Sequence, residues 1–373
     1  MSTRKALWVV SVSNLAGVAR HVLDVANAGI EDWELSFILP EGPLADELRR
    51  LDWPTTTHEF GRDVGVARSL AALRRVIRRT SPDVVHSHLA WGDVVASWAT
   101  PTEIPLVSTE HGVAETPHLY NRSRAIAAAK RLLHRRRMSR TDCIIPVSQA
   151  TAAAAAQLWG LPRGITRVIQ NGIDSIDHPS PPPRVGNRYG SFARLAPEKD
   201  YATMIRAFDL VHRRVPEATL ELAGTGVLES WLREEIERRG LGRAVRLRGF
   251  MEPEDFFRQV EVVVQLSVWE NCSYSVLDAV VHGKGTVATA VGGYLEYLPS
   301  HCLVPVGDAR SAADRMVEQA TDLKLRPQLP ADWPSVDEMR RHIARVYGEV
   351  MASRAPPTQA RVARPPEVGA LSR

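Results

Sequence analysis

The sequence predicts an α/β protein of two similar domains, each built on a parallel sheet, and three observations carry that prediction. From Ala6 to about Asp174, short apolar runs of strand length alternate with longer segments of helical period, the rhythm of βαβ units. The run His178-Pro179-Ser180-Pro181-Pro182-Pro183 is too rich in proline for helix or central strand, and beyond it the same rhythm restarts. With 373 residues, 44% of them hydrophobic, the chain exceeds what one core usually supports and has apolar material for two.

The elements follow in order. In a first domain over residues 1–178, strands are expected at 7–12, 35–39, 84–86, 106–108 and 144–147. Residues 179–184 form the linker. In a second domain over 185–332, strands are expected at 189–192, 220–223, 245–247, 262–266 and 286–289. Between them, Met204, Ile205, Phe208 and Val211 make one apolar helical stripe, and Leu228, Trp231, Leu232 and Ile236 another. Residues 333–353 read as a final helix with Met339, Ile343, Val346 and Val350 on one side. The remainder, 354–373, has little to bury and reads as a disordered tail.

Composition excludes several classes. A formal charge of +4, from 47 basic and 43 acidic residues, is too balanced for a dedicated nucleic-acid binder. Charge is concentrated only between Arg122 and Arg140, where eight Lys or Arg occur without a carboxylate; this is either a solvated face or a contact for anionic membrane or a polyanionic acceptor. Cys143, Cys272 and Cys302 are widely separated and lack metal-type spacing, which fits a reducing, cytoplasmic setting. No stretch of 18 apolar residues occurs, and the N-terminus has no evident export signal.

The chemistry is concentrated in loops expected at strand carboxyl ends, where open α/β sheets bind ligands. Trp269–Asp278, WENCSYSVLD, follows a buried strand and leads into a helix, with Glu270 at the loop entrance and Asp278 inside the helix. Two acids so placed suit a hydroxyl-rich ligand, and a helix start suits phosphate; an acid in a surface turn followed by a solvated helix acid would read the same way. In FARLAPEKD, Arg194 and Lys199 lie between a strand and a helix that Asp200 can cap, a planar fork and a point charge suited to a diphosphate. Gly224-Thr225-Gly226 and Gly292-Gly293, the latter followed by Glu296, mark close backbone approaches. In the first domain, Asn14-Leu15-Ala16-Gly17 makes a low loop after the first strand. His86 and His88 end one strand and Glu110-His111-Gly112 the next, gathering imidazoles toward the cleft, with His111 the leading candidate. Ser148 begins a capped helix in VSQAT, and Gln170-Asn171-Gly172-Ile173-Asp174 turns near the hinge.

In order and spacing, Gly17, His111-Gly112, VSQAT, QNGID, FARLAPEK, AGTG, ENCSYSVLD and VGGYLE resemble the motifs of glycosyltransferase family 4, over about residues 5 to 350. The resemblance implies the GT-B fold: two Rossmann-like domains facing a cleft, the first binding acceptor and the second nucleotide sugar, with the last helix crossing back to the first. It implies that Arg194 and Lys199 hold the donor diphosphate, that Glu270 and His111 contact the donor sugar, and that Asp278 binds ribose hydroxyls. Gly17, Asn271, Cys272 and Ser273 complete the donor site, with backbone amides near Cys272 and Ser273 holding sugar and phosphate. The chain departs from the family pattern at Asp278, usually Glu; at Asn271-Cys272-Ser273, usually Gly-Phe-Gly-like; and at Ala193 and Asp200, usually Gly.

The expected activity is retaining transfer of a hexose-type sugar from a UDP- or GDP-linked donor to a hydroxyl of a glycan, lipid or small molecule. The nucleotide sugar is a co-substrate, and no further cofactor is expected. Without an Asp-x-Asp motif to hold a divalent ion against a diphosphate, no catalytic metal is expected either. Two alternatives are a non-catalytic nucleotide-sugar-binding subunit and a sugar-nucleotide epimerase of the same fold.

Overall fold

The computed structural model describes residues 3–60, 64–113, 124–176 and 181–354. The first domain alternates β1 (Arg4–Val10), α1 (Gly17–Ala28), β2 (Trp33–Leu39), α2 (Pro43–Arg50), β3 (Thr55–Thr57), α3 (Val66–Thr80), β4 (Val84–His88), α4 (Ala90–Ala99), β5 (Leu106–Glu110), α5 (Arg124–Met138), β6 (Cys143–Pro146) and α6 (Gln149–Trp159). The second alternates β7 (Arg188–Phe192), α7 (Tyr201–Arg214), β8 (Thr219–Ala223), α8 (Glu229–Arg238), β9 (Val245–Gly249), α9 (Pro253–Gln259), β10 (Val262–Gln265), α10 (Tyr274–Val281), β11 (Gly285–Thr289), α11 (Tyr294–Tyr297), β12 (Leu303–Val304) and α12 (Ala309–Thr321). A long helix, α13 (Val336–Arg354), ends the described chain.

Each domain holds a six-stranded parallel sheet. The strand orders are β3-β2-β1-β4-β5-β6 and β12-β11-β10-β7-β8-β9, the same doubly wound topology. Continuous apolar runs make the central strands: β1, β4, β10 and β11 bury most of their residues because helices cover both sheet faces. Helix starts follow local chemistry. Ser148, Asp200 and Asp308 each accept a backbone N–H at the head of α6, α7 and α12. Met204, Ile205, Phe208 and Val211 are fully buried on α7, as their stripe requires, and Leu232 and Ile236 are buried on α8. Trp231 departs from its stripe and is 38% exposed.

The crossover is built from the hinge turn and the last helix. Ile173 N–H donates to the Pro334 carbonyl (3.0 Å), Val336 N–H to Asp174 Oδ1 (3.0 Å), and Trp333 Nε1 to the Asn171 carbonyl (3.2 Å). A β-carbon on Gly172 would lie 2.5 Å from the Ser335 carbonyl oxygen, so only glycine lets the two segments pass. Helix α13 then buries Met339, Ile343, Val346, Tyr347 and Val350 in the first-domain core. Residues 177 and 178 at the end of the expected first domain, 179 and 180 of the expected linker, Arg122 and Ser123 of the basic run, and 355–373 of the tail lie outside the described residues.

The basic run is corrected in one respect. Arg137 is not on a solvated face: it is buried between Asp93 on α4 (2.7 Å) and Glu110 at the end of β5, while Asp93 also accepts from Ser87 and Ser108. Burial raises the carboxyl pKa of Asp93 and, to about 7, that of Glu110, with the guanidinium opposing in both.

Candidate functional site

Both sheets reverse direction at their centres, between β1 and β4 in the first and between β7 and β10 in the second. These switch points leave crevices at the strand carboxyl ends, and the loops after them meet across the cleft.

On the second-domain side, Lys199 Nζ lies 2.5 Å from Glu270 Oε2. The same carboxylate accepts from Tyr294 Oη (3.3 Å), Ser267 Oγ (3.4 Å) and the Asn271 N–H (3.2 Å), so its position is fixed by four donors. Arg194 extends from the loop after β7 with its side chain 61% exposed, anchored by the buried Glu198 (2.7 Å). Asp200, where the family pattern has Gly, adopts a left-handed φ of 43°. Asp tolerates that conformation better than most side chains, and here it also caps α7, which accounts for the departure.

Glycines set the loop heights. Side chains at Gly224 or Gly226 would overlap the Ala193 or Leu195 carbonyls of the Arg194 loop, and both have positive φ. At Gly292 and Gly293 a β-carbon would overlap the carbonyls of Glu270 and Asn271. The two glycine motifs thus let neighbouring loops press the Arg194 and Glu270 loops into place.

Cys272 and Ser273 lead into α10. The Cys272 thiol is buried, its pKa pushed up to about 12 by desolvation, and its carbonyl accepts from Asn171 Nδ2 (3.0 Å). Ser273 precedes the first turn of α10, whose amides have no intrahelical partners and present partial positive charge. The Asn271 side chain faces the first domain instead of the crevice: its Oδ1 accepts from Val113 N–H (3.1 Å) and Thr151 Oγ1 (3.1 Å). A β-carbon on Gly112 would come 2.9 Å from Asn271 Nδ2, so a larger residue there would displace the Asn271 side chain.

On the first-domain side, Gly17 opens α1 with its α-carbon toward the Tyr274 ring; a β-carbon would sit 4.0 Å from it, in ordinary contact. One turn on, Arg20 stacks over Tyr274 (5.5 Å), chelates Asp24 and reaches Asp278 at 3.7 Å across the cleft. Asp278 is nearly buried; desolvation pushes its pKa up to about 6 against the pull of Arg20, and Asp24 is raised to about 6 for the same reason. Arg20, Asp24, Asp174, Glu252, Glu254 and Asp278 line a cavity of about 320 Å³ between the domains.

The imidazoles do gather, and one more joins them. His111 Nε2 lies 2.9 Å from His88 Nδ1, and His21 from α1 stands edge-on to His111 with ring centroids 4.9 Å apart. His86 sits deeper, between Tyr347 Oη (2.7 Å) and Thr109 Oγ1 (2.7 Å), and Trp8 donates to the same Tyr347 hydroxyl. Burial holds all four imidazoles neutral, with His21 lowered to about 4 and the others well below 6.5.

His21, Arg20, Glu198 and Tyr294 were not singled out from the sequence. Glu198 adjoins Lys199 in FARLAPEK, and Glu296 follows Gly292-Gly293 in VGGYLE. The latter now pairs with Ala150 N–H (2.9 Å) and Gln170 Nε2 (3.0 Å) across the cleft.

Two Rossmann-like domains with a polar crevice between them, closed by a C-terminal helix that returns to the first, define the GT-B architecture. Residues 15–175 match the model described as Glycosyltransferase Family 4, and residues 186–322 match that of Glycosyl transferases group 1. Among solved structures, HepE from Anabaena, crystallised with UDP and glucose, superposes with a TM-score of 0.77 at 20% identity over 92% of this chain and 99% of that one. HepE has also been crystallised with UDP-glucose. The glycogen synthase of Mycobacterium tuberculosis is 27% identical over 224 residues, 58% of this chain and 54% of that protein. The putative glycosyltransferase EpsD of Bacillus subtilis is 25% identical over 281 residues, 69% and 71% of the two chains. The chain spans about half the length of the glycogen synthases it matches. It belongs to the family 4, group 1 glycosyltransferases.

Proposed function

We propose that the chain is a retaining, metal-independent hexosyltransferase that moves a sugar from a UDP-linked donor to an acceptor hydroxyl. The observation that carries the proposal is the Lys199–Glu270 pair at the head of the crevice, beside the open amides of α10, with the loop that follows His111 packed on the adjacent Asn271. A donor diphosphate brings the negative charge that Lys199 now finds in Glu270. Lys199 and Arg194 take the phosphates as charge-assisted donors, and Glu270 is released to accept from sugar hydroxyls. His111, kept neutral, faces the sugar from the first domain. As the anomeric bond breaks, charge accumulates on the leaving diphosphate, where two cations and the α10 amides stabilise it without a metal. The UDP and UDP-glucose complexes of HepE support uridine over guanosine.

Asp278 binds the ribose, and its exchange of Glu for a shorter acid is accommodated by Arg20, which reaches it from the opposite domain. Gly17 leaves room for the sugar, and Ser273 with the Cys272 backbone closes the loop over it. Asn271 serves the same site indirectly, by holding the loop to the first domain. The acceptor enters along the first domain. The exposed part of α5 docks on anionic membrane at the cytoplasmic face.

Donor turnover in EDTA, followed by proton NMR of the anomeric signal in fresh product, tests the reading. Full activity in EDTA and a retained anomer are expected. Abolition by EDTA with rescue by magnesium or manganese would overturn metal independence, and an inverted anomer would overturn the mechanism. Release of no nucleotide from any UDP-sugar would overturn catalysis itself.

A further inference from the structure

Three histidines from three different elements converge beside the cleft in a way the sequence spacing does not suggest. His21 comes from α1, His88 from the end of β4 and His111 from the loop after β5, and ligand-capable nitrogens of all three lie within 4.8 Å of one another. His21 is 1% exposed, yet its Nε2 atom has no hydrogen-bond partner in the structure. A buried polar atom without a partner is costly, so its place in this cluster calls for an occupant.

The geometry points to a transition-metal site of the zinc class formed by His21, His88 and His111. Imidazole nitrogen suits such ions, and three histidines leave a fourth position open toward the cleft. The facing nitrogens of His88 and His111 are 2.9 Å apart. On a tetrahedral ion with bonds of ~2.0–2.1 Å two nitrogens stand about 3.3 Å apart, so that pair needs only to spread slightly. His21 closes the set through its unpartnered Nε2. Its supporting contact is already present: Nδ1 lies 3.3 Å from Asn171 Oδ1, and an Nδ1–H donated there leaves the Nε2 lone pair for the metal. Asn171 is itself held by donating to the Cys272 carbonyl. The neutral form of the three rings, kept by burial, is the form that ligates.

A bound ion would take His111 away from the donor sugar, so occupancy would inhibit transfer; this consequence, unlike the site, rests on the proposed function. The site is tested by binding alone. Untagged full-length protein, freed of metal by dialysis, is titrated with Zn²⁺ by calorimetry and with Co²⁺ by visible absorption, and the titrations are repeated on His21→Ala and His111→Ala. One saturating equivalent, with d–d bands of a four-coordinate Co²⁺ complex that Zn²⁺ displaces, is expected. Each variant should lose at least the roughly 10–100-fold in affinity that removal of a mere supporting contact costs. Absence of saturable Zn²⁺ binding to the wild-type protein would overturn the site. So would binding by both variants as tight as wild type. If His21→Ala fails to fold, His111→Ala, at the more accessible ligand, and the wild-type Co²⁺ spectrum decide the matter.

Discussion

Lys199 and Glu270 neutralise one another in the absence of ligand, and this sets what each contributes. Removing Lys199 takes away a charge-assisted bond to the diphosphate and leaves the Glu270 carboxylate without its cation, whereas Arg194 is 61% exposed and its removal takes away a cation paired with the buried Glu198 behind it. Lys199→Ala and Arg194→Ala should each weaken nucleoside-diphosphate binding by ~1.5–3 kcal/mol, with Lys199→Ala the larger. Calorimetric titration with UDP checks this, and unchanged affinity in both would remove the pair from the donor site. Asp278 contributes differently. Its carboxyl pKa is raised by burial from 3.8 to about 6, with Arg20 opposing and Asp24 and Glu254 adding to the rise. A carboxyl whose folded pKa lies above its unfolded value stabilises fully below pH 3.8 and loses that contribution as pH rises through about 6. Neutral pH therefore carries a cost whose upper scale is ~3 kcal/mol for a displacement of that size. Asp278→Asn should melt higher than wild type at pH 7.5, with the advantage shrinking toward pH 4.5, while binding UDP more weakly. A melting difference that does not vary with pH would contradict the assignment.

At the scale of elements, apolar strands and capped helices were legible because their signals are local. The central strands are runs of Val, Ile and Leu, and Ser148 and Asp200 announce helix starts by their own chemistry. The edge strands were not legible: β3 is three threonines and β12 two residues, each defined by its pairing with a neighbour. The partners of α5 were hidden for the same reason. Arg137 looks like its neighbours in sequence, and only the fold shows that Asp93 and Glu110 face it. His21 is likewise one polar residue in an amphipathic helix until α1 packs against β4. These pairings decide what the basic helix can do. Arg131, Arg135 and Arg136 remain exposed, with Leu132 69% exposed among them, while Arg137 is committed to the interior. Replacing Arg131 and Arg136 by Ala should lower partitioning onto anionic vesicles by ~2 kcal/mol, about 1 per cation. Co-sedimentation at low salt measures it, and equal retention on anionic and neutral vesicles by wild-type protein would leave the exposed cations as a solvated surface only.

Across the whole molecule, the crevice exists because the two domains are tied together by contacts that also shape the site. The Asn271 side chain joins the donor loop to Val113 and Thr151; Glu296 joins α11 to Ala150 and Gln170; Asn171 reaches the Cys272 carbonyl from the hinge. The family resemblance marked these positions as motif residues, but their reach between domains was not legible, since partners more than 100 residues apart leave no spacing pattern. Asn271 is the most informative of them to change. Its loss strands the buried Val113 N–H, while Thr151 keeps a second partner in Ser148 (2.8 Å). An unsatisfied buried donor costs about 1–3 kcal/mol, so Asn271→Ala should destabilise by that amount and loosen the His111 loop from the Glu270 loop. Lys199, Arg194 and the α10 amides all belong to the second domain and stay in place. UDP affinity should therefore be nearly retained, whereas kcat for sugar transfer should fall, because the groups from the two domains no longer meet the sugar together. Parallel UDP titration and steady-state kinetics separate the two effects. A loss of UDP affinity as large as the loss of kcat would show that Asn271 holds the nucleotide itself and not the closure of the domains around it.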